Sequence, residues 1–314
     1  MYICILFTLL NVCEGFYVPI ETSSSINRVY RSIKLADSTI VLGRNSTGHP
    51  VGFQDYCPHR GASFDKATLK DDNTINCPYH NFGFDTQNGK LTSGLGVKPG
   101  CSSLNMIDCV DRSGLVWGCI DGNDSIKPPP ELKCVSDPTF RKISGFVLVK
   151  TPVKELVSNV VDPYHISKVH SFGNRVEPEP LNYKANKVSE IRGVATFQYN
   201  TGETSLFNGI VDVINWYDIP YTAGTSVRSG TNVKIVQVHC VELSNGYTKV
   251  FWELYRNFSI DHFYDSFFDM AMRITLNEDK EILEKCSFEN GYKFHSLYDK
   301  LQILYLRSFK NCNS

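Results

Sequence analysis

Short runs of alternating apolar and polar residues occupy the first 125 positions, and the period changes near residue 150. Ser38-Thr39-Ile40-Val41-Leu42, Val51-Gly52-Phe53 and Leu115-Val116-Trp117 are β-type runs, with Asn45 to Gly48 and Asp121-Gly122 as turn signals. Lys127-Pro128-Pro129-Pro130-Glu131 is a stiff proline step and reads as an interdomain connector. Beyond it, Gly145 to Val149 predicts a strand. Val153, Leu156, Val157 and Val160 then recur at helical spacing behind Pro152, which suits a helix start. Four or five β runs are expected between residues 188 and 256, the clearest a hairpin of 236–243 and 247–255 turning at Asn245-Gly246. A helical pattern from about Asp261 to Lys285 closes the series, its apolar positions being Phe263, Phe267, Phe268, Ala271, Ile274, Ile282 and Leu283.

The expectation is an α+β chain: an all-β N-terminal domain followed by an antiparallel sheet covered by helices on one face, a helix-grip arrangement. The expected boundaries are an apolar extension over 1–15, a first domain over 16–130 and a second over 131–314. At 314 residues the chain is long enough for two domains, and its 42% hydrophobic content suits ordinary globular cores. Charge is balanced, with 32 basic and 33 acidic residues, so neither nucleic acid nor an acidic membrane surface is implied as a partner.

Eleven cysteines would suit a disulfide scaffold in a small secreted protein, but this chain is larger. Cys101, Cys109, Cys119, Cys134, Cys240, Cys286 and Cys312 follow no regular framework, and most read as small buried hydrophobes in a reducing compartment. Ile3 to Leu10 is an apolar run too short to span a bilayer. It has the character of a signal-peptide core but no positively charged residues before it. A cytoplasmic location is expected, with a plastid or membrane-associated one as the alternative if Met1 to Gly15 is a targeting segment.

Two clusters of ligand residues carry the chemistry. Cys57-Pro58-His59 is followed 18 positions later by Cys77-Pro78-Tyr79-His80, so two short loops each offer one thiolate and one imidazole. That is the ligand set of a Rieske 2Fe–2S centre, in which one iron takes both Cys and the other both His. Zinc is the competing reading, since two Cys and two His also make a tetrahedral site. Zinc spacings usually pair like ligands, which these loops do not.

A second set lies at the opening helix of the second domain. Asp162 and His165 are three apart, hence neighbours on one helical face, and Pro163 disturbs the helix so that His170 can come round to the same metal. Two His and one carboxylate form the facial triad of non-haem Fe(II) oxygenases, with open positions for dioxygen and substrate. The missing carboxylate is expected from Glu278-Asp279 on the closing helix. His49, His239, His262 and His295 read as ordinary structural residues. Apolar lining for a substrate between sheet and closing helix is expected from Phe207, Ile210, Val213, Trp216 and Tyr217.

From Phe16 to about Cys286 the chain resembles a Rieske non-haem iron oxygenase α subunit of the vanillate demethylase and dicamba monooxygenase kind, with phaeophorbide a oxygenase-like enzymes as cousins. The blocks that carry the likeness, beside the two cluster loops, are Phe16-Tyr17-Val18-Pro19, Asp111 to Trp117, Asn159-x-x-Asp162-x-x-His165-x4-His170, Phe251 to Phe258 and Asn277-Glu278-Asp279-Lys280. The resemblance implies that Cys57, His59, Cys77 and His80 hold the cluster. It implies that His165, His170 and Asp279 hold a mononuclear Fe(II), with Glu278 as the fallback. Asp162 would be the bridging carboxylate, hydrogen-bonded to His165 and to His80 of a neighbouring copy in a ring-shaped homotrimer. The extra Cys pair of high-potential respiratory Rieske proteins is missing, Ala62 and Phe82 standing there, which implies the low-potential kind. Asn81 departs from the family's usual Gly, and Asn tolerates the left-handed conformation better than most residues.

The activity so implied is oxidation of a small organic substrate, aromatic or cyclic, with O2 as co-substrate: hydroxylation, demethylation or desaturation. The sequence contains no Gly-x-Gly-x-x-Gly in a strand-to-helix context, so an external NAD(P)H-dependent reductase, with or without a ferredoxin, is expected as partner. The alternative is a Rieske electron carrier whose second domain is not catalytic.

Overall fold

A computed structural model of the chain describes residues 16–36, 38–70, 73–120, 128–171, 179–201, 209–288, 291 and 293–312. The apolar segment Met1 to Gly15, the Asp121-Gly122 turn signal, Lys127 and Phe207 lie outside them. The chain divides into two compact units between Pro128 and Pro129, inside the proline step.

The first unit is all β. Its strands are β1 (Tyr17–Thr22), β2 (Arg31–Lys34), β3 (Thr39–Arg44), β4 (Pro50–Gln54), β5 (Thr74–Asn76), β6 (Gly83–Asp85), β7 (Leu91–Ser93), β8 (Met106–Arg112) and β9 (Leu115–Cys119). They form a six-stranded sheet in the order β1-β9-β8-β4-β3-β2 and a three-stranded sheet β5-β6-β7. One core is drawn from both sheets. Val41, Val51 and Phe53 of the first meet Ile75, Phe84 and Leu91 of the second, with Tyr30, Phe64 and Leu104 from the connections. Cys57 and Cys77 belong to that core, so burial of apolar surface also sets the position of the two thiols.

The second unit is a seven-stranded antiparallel sheet with helices. Strands β10 (Arg141–Val149), β11 (Leu181–Ser189), β12 (Arg192–Asn200), β13 (Ile210–Asp218), β14 (Thr222–Ser229), β15 (Asn232–Glu242) and β16 (Thr248–Arg256) run in the order β10-β16-β15-β14-β13-β12-β11. The expected hairpin is β15–β16, longer at its open end than the sequence suggested. Helix α1 (Val153–Val160) starts behind Pro152 and buries Val153, Leu156 and Val157. Helix α2 (Ile166–Val169) is a single turn, and α3 (Asp265–Leu283) is the closing helix.

Two readings are corrected here. Only part of the apolar set assigned to the closing helix is its inward face: Phe268 and Leu283 are buried as expected, but Phe263 is 85% exposed, and Phe267 and Ile282 are also exposed. Phe268, Met272 and Leu283 are the buried ones, a stripe four and eleven residues apart that the other large residues obscure. The second correction is a further helix, α4 (Lys300–Cys312), which the sequence reading did not assign. Its signal was present, since Ser296 and Asp299 make a capping box just before it and Leu301 and Tyr305 recur at helical spacing. Both are fully buried, Tyr305 packing against Tyr217 of β13 with ring centroids 5.4 Å apart. Among the described residues no helix is long and apolar enough to cross a membrane.

Candidate functional site

The two cysteine loops of the first unit are copies of one backbone turn. In the first, the Cys57 N–H donates to the Ala62 carbonyl at 2.8 Å and the Gly61 N–H returns to the Cys57 carbonyl at 2.7 Å. In the second, Cys77 N–H donates to Phe82 O at 2.8 Å and Asn81 N–H to Cys77 O at 2.9 Å. The fifth residue of each is left-handed, Gly61 at φ +72° and Asn81 at φ +59°. Asn81 carries that conformation with help, because the Asn76 amide donates to its carbonyl at 3.2 Å and to its Oδ1 at 2.7 Å.

The loops turn both thiols inward and both imidazoles outward. Cys57 and Cys77 are 2% and 1% exposed, whereas His59 is exposed and His80 half-buried. The His59 and His80 rings lie 4.7 Å apart, and Phe82 packs against His59 at the same distance. Burial pushes the Cys57 thiol up, and the adjacent Cys77 adds to the shift. Two thiols held together out of water need a cation to ionise.

The geometry also separates a cluster from a single ion. Bonds of about 2.0–2.3 Å around one zinc would gather all four ligand atoms within about 4 Å of one another. Among the described residues only His165, His170 and Asp279 bring three ligand atoms within 4.8 Å, so the Cys57, His59, Cys77 and His80 set does not converge on one point. A two-iron cluster, with thiols at one end and imidazoles at the other, fits that separation.

The second set is assembled from three places. Helix α1 ends at Val160, and Pro163, lacking an N–H, prevents its continuation. Asp162 and His165 therefore do not share a helical face as the spacing suggested. Instead Tyr164 N–H donates to Asp162 Oδ1 at 2.7 Å in a tight turn, and α2 carries the chain to His170. Asp279 arrives from α3, seven residues beyond Met272 and four before Leu283, hence on the inward phase of that helix. This phase separates it from Glu278.

His165 Nε2 lies 3.5 Å and His170 Nε2 3.6 Å from Asp279 Oδ1. The far nitrogens are engaged elsewhere: His165 Nδ1 donates to the Asp162 main-chain carbonyl at 2.7 Å, and His170 Nδ1 to Glu278 Oε2 at 3.2 Å. Both Nε2 lone pairs are thereby turned to the common centre. Burial lowers the affinity of His170 for a proton, which favours the neutral ligand form. Glu278 is held ionised despite partial burial by Ser171, whose N–H and hydroxyl both donate to it, and by His170. Asp279 Oδ1 is buried with no hydrogen-bond partner among the described residues. An orphaned carboxylate oxygen between two imidazole nitrogens is what a divalent cation would satisfy, so the residues fit a mononuclear metal.

Asp162 departs from its expected contact. Its carboxylate stands 4.0 Å from His165 Nδ1, which is taken by its own carbonyl, and burial raises its proton affinity. Of the four other histidines, His239 is buried against Thr222 and held neutral by burial, its affinity pushed down to about 3. His49 and His295 donate backbone N–H groups to Asn45 and Asp299, and His262 pairs with Asp265.

A cavity of about 160 Å³ opens on His165, His170 and Asp279, between α3 and strands β12–β15. Of the expected lining, Val213 is in place. Ile210 is 61% exposed, and Trp216 is turned away because side chains alternate along β13; Tyr217 shares the parity of the lining residues Val211, Val213 and Asn215 but lies beyond the cavity, packed against Tyr305. Asn215, Thr225 and Lys234 are polar lining residues that sequence reasoning passed over. Strand parity from Val213 would have flagged the first.

A family model for the Rieske [2Fe-2S] domain matches residues 16–104. The oxygenase component of dicamba O-demethylase from Stenotrophomonas maltophilia is 29% identical over 141 residues, 43% of this chain and 41% of that protein. The chain therefore carries a Rieske [2Fe-2S] domain and is a homologue of Rieske oxygenase components. Methylxanthine N1-demethylase NdmA of Pseudomonas putida is 22% identical over 208 residues, 60% of this chain and 56% of its own length. The matched part is thus about half the length of these curated relatives. In fold the likeness runs further: the crystal structure of dicamba monooxygenase bound to dicamba superposes with a TM-score of 0.78 at 18% identity, covering 96% of this chain and 98% of that one. The Rieske oxygenase fold, an all-β cluster domain and a sheet-rich second domain with helices, is the α+β architecture expected from the sequence.

Proposed function

We propose that this Rieske oxygenase homologue is the terminal oxygenase of an electron-transfer system. In this reading Cys57, His59, Cys77 and His80 hold a 2Fe–2S cluster in the domain spanning 16–130, and His165, His170 and Asp279 hold one Fe(II) in the domain spanning 131–314. Bound there, the metals supply one-electron transfer and activation of O2 toward a small organic, aromatic or cyclic, substrate. The observation that carries the reading is the orphaned Asp279 Oδ1 facing two imidazoles at the floor of a largely apolar cavity. A carrier with an inert second domain would have no reason to keep a buried unpaired carboxylate oxygen there.

The protein's own part in the chemistry is positional. Asp162 O and Glu278 fix the two imidazole tautomers, and valines from three strands keep water from the substrate side. The outward imidazoles His59 and His80 are the exit for electrons, and the buried thiols are shielded from solvent. An external NAD(P)H-dependent reductase, with or without a ferredoxin, supplies those electrons. Asp162 is proposed as the link to the cluster of a neighbouring copy in a homotrimer, reached through its carboxylate while its carbonyl holds His165.

Metal and sulfide analysis of anaerobically purified protein tests the proposal. An iron-to-sulfide ratio of about 3:2 with a Rieske-type EPR signal on reduction is the expected result. Zinc without sulfide would overturn it. A ratio of about 1:1 that Fe(II) fails to raise would leave only an electron carrier.

A further inference from the structure

The sheet side of the cavity carries polar groups with nothing to bind. Asn215 of β13 lines it and is fully buried, yet neither its Oδ1 nor its Nδ2 has a hydrogen-bond partner. Thr225 of β14 stands directly across from Asn215, and its buried hydroxyl is also without a partner. A buried polar group left without a hydrogen bond is destabilising. Together they offer a hydroxyl donor and an amide donor on one face of adjacent strands.

Lys234 of β15 is the third member, opposite Val227 and two register positions from the Thr225–Val236 pair, hence on the same face. It is half-buried, and the desolvation lowers its proton affinity. Directly across from it on β16 is a second cation, Arg256. Asp265 neutralises Arg256 at 2.5 Å, and Phe268 stacks on the guanidinium. Among the described residues no carboxylate lies within ion-pair reach of Lys234. A half-buried ammonium at a cavity wall, across the sheet from another cation, is stabilised by an anion arriving from outside the fold.

We infer that the cavity is an acid-binding pocket. Its substrate carries a carboxylate that pairs with Lys234 and accepts hydrogen bonds from Asn215 and Thr225, while the rest of the molecule lies against Val213, Val227 and Val236, toward Asp279. The helix side of the cavity thus holds the metal ligands and the sheet side the acidic end of the ligand. This names a substrate class for the proposed oxygenase and rests on that reading only for what happens at the metal, not for binding.

The test is calorimetric titration of the full-length, iron-loaded protein, anaerobic and unreduced so that no turnover occurs. The probes are benzoate and 2-naphthoate, each against its neutral amide. At least one carboxylate should bind about 10-fold or more tightly than its amide, as a charge-assisted contact in a desolvated site requires. Lys234→Met should remove about 10- to 100-fold of carboxylate affinity and leave the amide within about 3-fold, and Lys234→Arg should retain the preference. If Lys234→Met melts early, Lys234→Gln gives the same comparison with a polar side chain. Failure of both carboxylates to out-bind their amides, whether or not anything binds, overturns the inference, as does an undiminished preference without the ammonium. Iron content measured on the same samples keeps the two ideas apart. Carboxylate preference in protein that takes up no second-site iron sinks the oxygenase reading alone, and full iron without the preference sinks only this one.

Discussion

Cys57 and Cys77 are each held by hydrogen bonds inside their own loops, 57–62 and 77–82, whereas His170 meets Glu278 across 108 positions of chain. The first unit builds its ligand set locally and twice over, with one turn used for both loops. The second gathers its trio from a broken helix end, a single helical turn and the far part of α3. The local set depends on backbone conformation and a shared core, the distributed set on the phase and position of one long helix. Damage should follow that division.

The largest effects come from removing one ligand on either side. Asp279→Ala should abolish turnover and second-site iron while the reduced Rieske-type EPR signal persists; Cys57→Ser should abolish turnover and the cluster's visible absorption while second-site iron remains. Loss of both metals from either variant would break the comparison. Next is Asp162→Ala, expected to keep both metals and nearly abolish product formation, because its carboxylate is free of the histidine whose tautomer its carbonyl fixes. Normal coupled turnover in that variant would remove Asp162 from the electron route.

Glu278→Gln should be milder, since Glu278 orients His170 and is not itself at the centre. A loss of about 10- to 100-fold in second-site iron affinity, read by competition with a chelator, is expected, with the cluster unaffected. Asn81→Val tests the local side. A β-branched residue forced to φ near +59° should cost about 1–2 kcal/mol in denaturant unfolding, and Asn81→Gly should cost little.

The smallest effect sharpens the role of α3. Arg141 of β10 and Arg256 of β16 grip Asp265 in the first turn of that helix, at 2.6 and 2.5 Å. The Arg141 hydrogen bond first, then Arg256, holds its carboxyl down at about 2. A depressed carboxyl stabilises the fold above its unfolded value, near 4, and that contribution is lost as pH falls through about 2. Thermal melts of Asp265→Asn should therefore show a deficit at pH 7 that narrows between pH 4 and 2. A constant deficit would mean the contact is steric.

The cluster loops were legible because ligand identity, spacing and turn chemistry all lie within a few residues; even the Asn81 substitution could be judged from its tolerance of positive φ. Hairpin β15–β16, helix α1 and the proline step were legible for the same reason, each having a local signal. The closing helix was legible in existence but not in phase. Phe268 and Leu283 were read correctly, but the exposed Phe263, Phe267 and Ile282 were read with them and Met272 was missed, so Glu278 and Asp279 could not be ranked by pattern. The cavity lining was missed where apolar character rather than strand parity chose the residues: period two puts Asn215 on the face of Val213 and turns Ile210 to solvent.

By itself, then, the chain's sequence marked the candidate metal ligands and the two short loops that carry four of them, and indicated that a β domain precedes a sheet covered by helices. Only the tertiary structure decided which carboxylate faces the two imidazoles, that the carbonyl of Asp162 rather than its side chain orients His165, and that Lys234 lines the cavity with no carboxylate in reach among the described residues. Those outcomes turn on helix phase, strand parity and the company kept by a charge across a sheet, and none of these is a property of neighbours in sequence.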